Sequence, residues 1–282
     1  MKKIGFIDYY LDEWHANNYP AWIEEYNRKH GTDFKVAFAF AEKEVPPKGG
    51  LSSSEWCARF GAEECRSIEE VCEKSDFIMI LAPSDPEKHL GYAEKVFPYK
   101  KPVYVDKTFA PDYPSAAEIF SLGEKNGTSF FSTSALRCAE EIAYTENAVA
   151  ATVTGGGGNF AEYIVHQSEM LVKIMGKGAV RVRSLKKDEA VTVNVFYRDG
   201  RSAEMVYASD MPFSATVKTR DGKSFSKKIE SDYFGILIAH ILEFFGGKPV
   251  FFDSLDTLEV IKIRAAACES LEKNGTFVEL QP

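Results

Sequence analysis

The 282-residue chain carries 34 lysines and arginines against 42 aspartates and glutamates, a formal charge of -8, with 45% hydrophobic and 27% charged residues, which suits one large or two medium globular domains. The acidic surplus opposes a phosphate backbone and neither a basic stripe nor an aromatic-basic alternation is visible, so nucleic acid is not an expected partner. No apolar run is long enough to cross a bilayer, and the start MKKIGFIDYY turns acidic at Asp8 before a signal-peptide core could develop, so a cytoplasmic protein without a membrane partner is expected.

Up to about residue 135, short apolar runs alternate with capped or amphipathic segments, the pattern of a doubly wound parallel sheet. Strands are predicted at 3–8, 34–41, 77–82, 102–106 and 128–133. Between them, Ser67 and Glu70 have capping-box spacing, Asp85-Pro86 looks like an N-cap followed by proline, and a helix from Pro114 to Asn126 stops at Gly127. After about residue 140 the order changes. Strand-like stretches at 148–154, 179–184, 190–198, 203–208 and 213–219 succeed one another with turn signals at Asp199-Gly200 and Asp221-Gly222, predicting an open, mostly antiparallel sheet. Helices are predicted at about 160–175, 232–245 and 255–273. The expected architecture is therefore an α/β, Rossmann-type domain over 1–135 and an α+β domain over 136–282.

The segment VYVDKTFA places Asp106 and Lys107 where a buried strand ends, and ligands of parallel sheets bind at such ends. Lys107 is the first catalytic candidate, a solvated loop lysine being the alternative. On the helix at 159–176, Glu162, His166, Glu169 and Lys173 share one face, which brings a carboxylate one turn to each side of an imidazole. A salt-bridged, solvated face has the same spacing. The quartet Gly155 to Gly158 precedes this helix and suits either close backbone approach to a ligand or a flexible connection.

The five cysteines, at 57, 65, 72, 138 and 268, show no metal or redox spacing, and the histidines at 15, 30, 89, 166 and 240 add no ligand pattern, so no metal site is expected. The first strand is followed by DYYLDEWHANNYP. The glycines of a GxGxxG turn would fall near Asp8, Tyr10 and Glu13, and none is glycine. Side chains there hinder a pyrophosphate from reaching the backbone, and Asp8, Asp12 and Glu13 repel it.

Taken together, FIMILAPSDPEKHLGYAEKVFPYKKPVYVDKTFAP and FDSLDTLEVIKIRAAACESLEKNGTFVEL resemble the Gfo/Idh/MocA family, the glucose-fructose oxidoreductase and inositol dehydrogenase group. By that resemblance Lys107 stands at the signature lysine, with Asp106 for glutamate and Thr108 for proline. His166 matches the histidine of the family's Asp-x-x-x-His helix motif, with Glu162 at the aspartate. His89, after Pro83, falls near the histidine that follows the fourth strand. Glu42 or Lys43 lies where the adenosine ribose is read, leaving NAD and NADP both open. The resemblance implies an NAD(P)-dependent oxidoreductase of a sugar-like or polyol substrate, with His166 taking the hydroxyl proton, Lys107 stabilising the alkoxide and Glu162 orienting His166. The cofactor would meet Asp8, Tyr10, Trp14, His15, Glu42, Pro83, His89 and Asp106. The chain departs from the family in its missing glycine turn and in a short passage between Arg137 and the glycine quartet. Those departures motivate a second expectation, a non-catalytic sugar-binding or regulatory protein that has lost its cofactor. A third is that another ligand fills the altered turn, held by Tyr10, Trp14 or His15. The family also implies a homo-oligomer formed through the open sheet.

Overall fold

The β-branched and aromatic runs of the amino-terminal half pair in parallel. In the computed structural model, which describes residues 1–280, β1 (Lys2–Asp8), β2 (Phe34–Ala41), β3 (Glu63–Glu64), β4 (Phe77–Ile80), β5 (Val103–Val105) and β6 (Phe130–Ser132) form a six-stranded sheet. Its order is β3-β2-β1-β4-β5-β6, and every pair is parallel. Helices α1 (Trp14–His30), α2 (Ser53–Phe60), α3 (Ile68–Lys74), α4 (His89–Val96) and α5 (Tyr113–Asn126) make the crossovers. Strands covered on both faces read as continuous apolar runs, and Ile4, Phe6, Ile7, Ile78, Ile80, Val103 and Val105 are all fully buried. The strand order reverses between β1 and β4, the point outside whose carboxyl ends such sheets hold ligands.

The chain forms two units, Met1–Thr133 with Gly235–Phe251, and Ser134–Phe234 with the residues from Phe252 onward. The returning segment carries most of α7 (Tyr233–Phe245). Phe245 stacks on Phe77 with ring centroids 4.8 Å apart, and Phe244 meets Phe131 edge-on at 5.1 Å. These contacts bury the amino-terminal end of β4 and one flank of β6 under aromatic rings.

In the second unit, β7 (Ala148–Gly155), β8 (Ala179–Lys187), β9 (Ala190–Tyr197), β10 (Ser202–Tyr207), β11 (Ser214–Thr219), β12 (Ser224–Lys228) and β13 (Val278–Glu279) form a sheet ordered β12-β11-β7-β10-β9-β8-β13. It is mostly antiparallel, with β7 and β10 parallel. Helices α6 (Phe160–Met175) and α8 (Asp256–Glu272) join its inner face in one apolar core, where Val153, Val193 and Met205 pack with Leu171, Ile263 and Ala267. No helix among the described residues is long and apolar enough to cross a membrane.

The glycine quartet is a packing device. A Cβ on Gly156 would fall on the Ala208 carbonyl oxygen and 2.7 Å from that of Ser209, and Gly157, at φ +155°, lies against the Tyr163 ring. Two stretches of main chain cross here too closely for any side chain.

Candidate functional site

Strand β1 ends at Asp8, which is 1% exposed. Its Oδ1 accepts the Tyr9 N–H at 2.7 Å and the Ala82 N–H at 3.0 Å, while Oδ2 has no hydrogen-bond partner. Burial pushes this carboxyl well above the usual carboxylate range, repulsion from Glu13 adds to the rise, and the two N–H groups offset only part of it. The chain then turns through Tyr9 to Asp12 and enters α1 behind Glu13. Glu13 is an N-cap of unusual type: its carboxylate accepts the His15 N–H at 2.8 Å and also the Ala16 N–H. Its own pKa is raised, burial outweighing the His15 ring and the two donors. Asp12 is equally committed, to Asn17 Nδ2 at 2.8 Å and to the Leu51 N–H at 2.7 Å.

The second half of the site stands at the end of β5. Asp106 is fully buried, and donors converge on it: the Lys107 N–H at 2.8 Å, the Tyr104 hydroxyl at 3.2 Å, the Tyr19 hydroxyl at 3.3 Å and Nδ1 of His15. Burial alone would raise this carboxyl, but the His15 ring, the Lys107 charge and the N–H bond outweigh it and hold the pKa below the ordinary value. Tyr19 lies 3.0 Å from the same His15 nitrogen, and Trp14, His15, Tyr19 and Trp22 form a run of ring contacts with centroids 5.2 to 5.8 Å apart. His15 comes from the first turn of α1 and Asp106 from 91 residues later, so no local pattern announces the pair.

Lys107 is 7% exposed and its Nζ donates to the Pro83 carbonyl at 3.4 Å. The bond to Thr108 is cis, and the buried Thr108 hydroxyl has no hydrogen-bond partner. His89 is fully buried with Nδ1 3.0 Å from the Phe109 carbonyl and Nε2 against that of Leu81, and burial lowers its pKa. It sits between the carbonyls that follow β4 and β5. Glu42 pairs with Lys88 at 2.8 Å and accepts the Tyr92 hydroxyl at 3.1 Å, and Lys88 also lies over the Tyr9 ring. Tyr10 packs its ring against Tyr9 at 5.8 Å, and Trp14 is 53% exposed.

In the second unit, α6 is not a helix with one solvated face. His166 and Glu169, 8% and 3% exposed, are buried along with Ile164 and Leu171, because the sheet, α8 and the turn at 135–138 all pack against this helix. His166 Nδ1 lies 2.6 Å from Ser134 Oγ, Glu169 accepts the Ser134 N–H at 2.9 Å and Arg137 Nε at 2.5 Å, and Arg137 reaches Asp256 at 3.1 Å. Glu162 serves the helix start, 3.0 Å from Asn159 Nδ2. Lys173, one turn beyond Glu169, donates to the Ala139 carbonyl at 2.8 Å, and burial lowers its pKa. Among the described residues no group of three or more His, Cys, Asp or Glu side chains is placed to hold a metal.

No protein-family model matches the chain, and no curated protein does. Solved structures do, at low identity. A myo-inositol dehydrogenase from Corynebacterium glutamicum superposes with a TM-score of 0.75 at 12% identity, over all of this chain and 99% of the other. GenD2 from gentamicin A biosynthesis, in complex with NAD, gives 0.77 at 11% over 100% and 97%. The WlbA dehydrogenase from Bordetella pertussis, in complex with NADH and UDP-GlcNAcA, gives 0.74 at 12% over 100% and 98%. At these identities the likeness is one of fold. A dinucleotide in such a fold needs bare N–H groups at the start of α1 and a turn that lets its pyrophosphate reach the backbone. Here the His15 and Ala16 N–H groups already serve the Glu13 carboxylate, and the turn opens with a buried carboxyl oxygen lacking any donor. The residues present do not fit a pyrophosphate. What this chain shares with the dehydrogenase structures is therefore their fold, entered through a first turn whose helix-start N–H groups are taken by its own carboxyl side chain.

Proposed function

We propose that this protein binds a small polyhydroxy, sugar-like molecule on a dehydrogenase fold and does so without a nicotinamide dinucleotide. The observation that carries the reading is Glu13, whose carboxylate occupies the helix start where a phosphate would be received. A second carboxyl, Asp8, stands at the head of the same turn, and its side chain takes the Tyr9 and Ala82 N–H groups. Sugar-like ligands are favoured because the fold is that of inositol and sugar-nucleotide dehydrogenases. Titration of the purified protein with NADH and NADPH, followed by nicotinamide fluorescence and calorimetry, is expected to give no saturable binding up to millimolar cofactor. Myo-inositol or D-glucuronate, in contrast, is expected to raise the melting temperature. Saturable NADH binding by the wild-type protein would overturn the reading.

The second reading is a nicotinamide-dependent oxidoreductase of the Gfo/Idh/MocA family in which Lys107 and His166 are catalytic. Its support is that structures of the same fold hold NAD and NADH. It requires Glu13 to leave the helix start, so Glu13→Gln would tighten NADH binding under this reading and leave it absent under the first.

A further inference from the structure

We propose that a groove between α1 and α2 binds a small monocarboxylate with an apolar body. It lies beside the first residues of β2, at the end of the parallel sheet opposite the turn after β1. The two helices pack on the same strand, and Trp56 Nε1 joins them by donating to Asn17 Oδ1 at 2.8 Å. One turn further along each helix they part around a cavity of about 490 Å³, which Pro20, Ile23, Phe34, Val36 and Phe60 line with apolar surface. The gap has a cause in the sheet. Strand β3 is two residues long and pairs only with Phe38 and Ala39, so residues 34–37 of β2 have no strand on that side. Helix α2 stops at Gly61, in the left-handed conformation, before it could cover them. Asn27 closes part of the edge, its Nδ2 donating to the Phe34 carbonyl at 2.7 Å and its Oδ1 accepting the Phe34 N–H at 3.0 Å. The remaining volume is within the ~300–1,000 Å³ of small-molecule sites.

Charge complementarity identifies the occupant. Lys35 from β2, Arg59 from the last turn of α2 and Glu24 from α1 line the same cavity, and all three are exposed. Among the described residues none of them has an ion-pair partner, and Arg59 only lies over the neighbouring Phe60 ring at 5.5 Å. A lysine beside a helix end commonly spends its charge on the last carbonyls, as Lys101 does on those of Cys72 and Ser75 where α3 stops. Lys35 Nζ comes close to the end of α2, 3.7 Å from where a Cβ on Gly61 would stand, yet takes none of its carbonyls. Two cations against one acid leave the groove a single net positive charge, which one carboxylate neutralises and a phosphate dianion overshoots. The Arg59 guanidinium can meet both oxygens of a carboxylate, with Lys35 as a point charge beside it. The apolar walls call for an aromatic or branched aliphatic body, since a bare anion would leave them to water.

The test is calorimetric titration of the full chain with 3-phenylpropionate and 4-methylpentanoate, beside neutral 3-phenylpropanol and inorganic phosphate. Wild-type protein is expected to bind at least one of the two carboxylates saturably, and neither control as tightly. Lys35→Gln and Arg59→Gln are each expected to weaken that binding roughly 10- to 100-fold, the usual worth of a hydrogen bond to a charged group. Glu24→Gln is expected to act in the opposite sense and tighten it roughly two- to five-fold, as loss of one exposed like charge should. Ala21→Trp, which places an indole in the groove from an exposed helical position, is expected to abolish binding. All four positions are exposed, so the variants are expected to keep the wild-type circular dichroism spectrum. Should any of them fail to fold, the wild-type comparison still decides: equal affinity for 3-phenylpropanol, or for phosphate, overturns the proposal. Absence of saturable binding of both carboxylates at millimolar concentration overturns it too. So does binding that folded Lys35→Gln, Arg59→Gln and Ala21→Trp leave unchanged, or that Glu24→Gln weakens.

Discussion

In the second unit the buried Glu169 meets a guanidinium at 2.5 Å and an N–H at 2.9 Å, and the same Arg137 reaches Asp256 at 3.1 Å. In the first unit Asp8 meets only two N–H groups, stands near a second buried carboxyl and keeps one oxygen without a donor. Each region keeps one buried polar atom without a hydrogen-bond partner, Arg137 Nη2 and Asp8 Oδ2, yet one pairs its carboxylate with a guanidinium and the other holds a carboxyl that burial shifts toward its neutral form. A matched buried ion pair is what a fold needs to stay put. A buried carboxyl without a cation lowers stability once it ionises. The contrast sets the ion-paired Arg137 network apart from the turn after β1, where burial favours the neutral carboxyl.

The sharpest way to break this comparison is Arg137→Met, which strands Glu169 without its cation. A loss of roughly 3–5 kcal/mol in urea denaturation is expected, the cost of an uncompensated buried charge. A loss within the ~1 kcal/mol of surface pairs would place the two regions on the same footing. Gly156→Ala comes next. Its methyl would strike the Ala208 carbonyl, so a cost of roughly 1–3 kcal/mol is expected by the same measurement. Wild-type stability in that variant would mean the quartet is slack after all. Glu13→Ala should cost less than the ~1 kcal/mol of an ordinary cap, because removing this carboxylate also relieves Asp8.

The smallest effect carries a sign. The folded-state pKa of Asp8 lies above its unfolded value, so the folded protein prefers the protonated acid. Asp8 therefore costs nothing below the unfolded pKa of about 4 and lowers stability as pH rises through the folded one. Asp8→Asn should raise the melting temperature at pH 8 and lose that advantage toward pH 4, measured by thermal scans across that window. A gain independent of pH would point to packing rather than charge.

Much of the fold is legible in the sequence because burial on both faces leaves a plain trace, as in FIMILA and PVYVD. Alternation exposed β9 equally well, with every second residue buried. Helix α1 escapes because its cap is a glutamate, a residue poorly represented at that position, and because Pro20 lies inside it. Helix α2 carries a Ser52–Glu55 capping box that was there to be read. The edge strands β3, β12 and β13 are too short or too exposed to show a period. Within the site, Asp106-Lys107 is visible as charge at a strand end, whereas the His15–Asp106 pair is made by topology alone. The even spacing of Glu162, His166, Glu169 and Lys173 fits a solvated face as well as a buried one, and only tertiary packing distinguishes them.

The return of Gly235–Phe251 to the first unit bears on how the protein is made. A ribosome that has released Thr133 has produced every strand of the parallel sheet, yet Phe77 and Phe131 still lack the rings of Phe245 and Phe244. Those apolar faces stay open while about a hundred further residues emerge, the interval in which partly finished domains are most exposed to aggregation. The first unit is thus a module in space without being a module in the gene. A fragment ending at residue 133 would inherit the sheet and the acidic turn but not the aromatic cover that closes them.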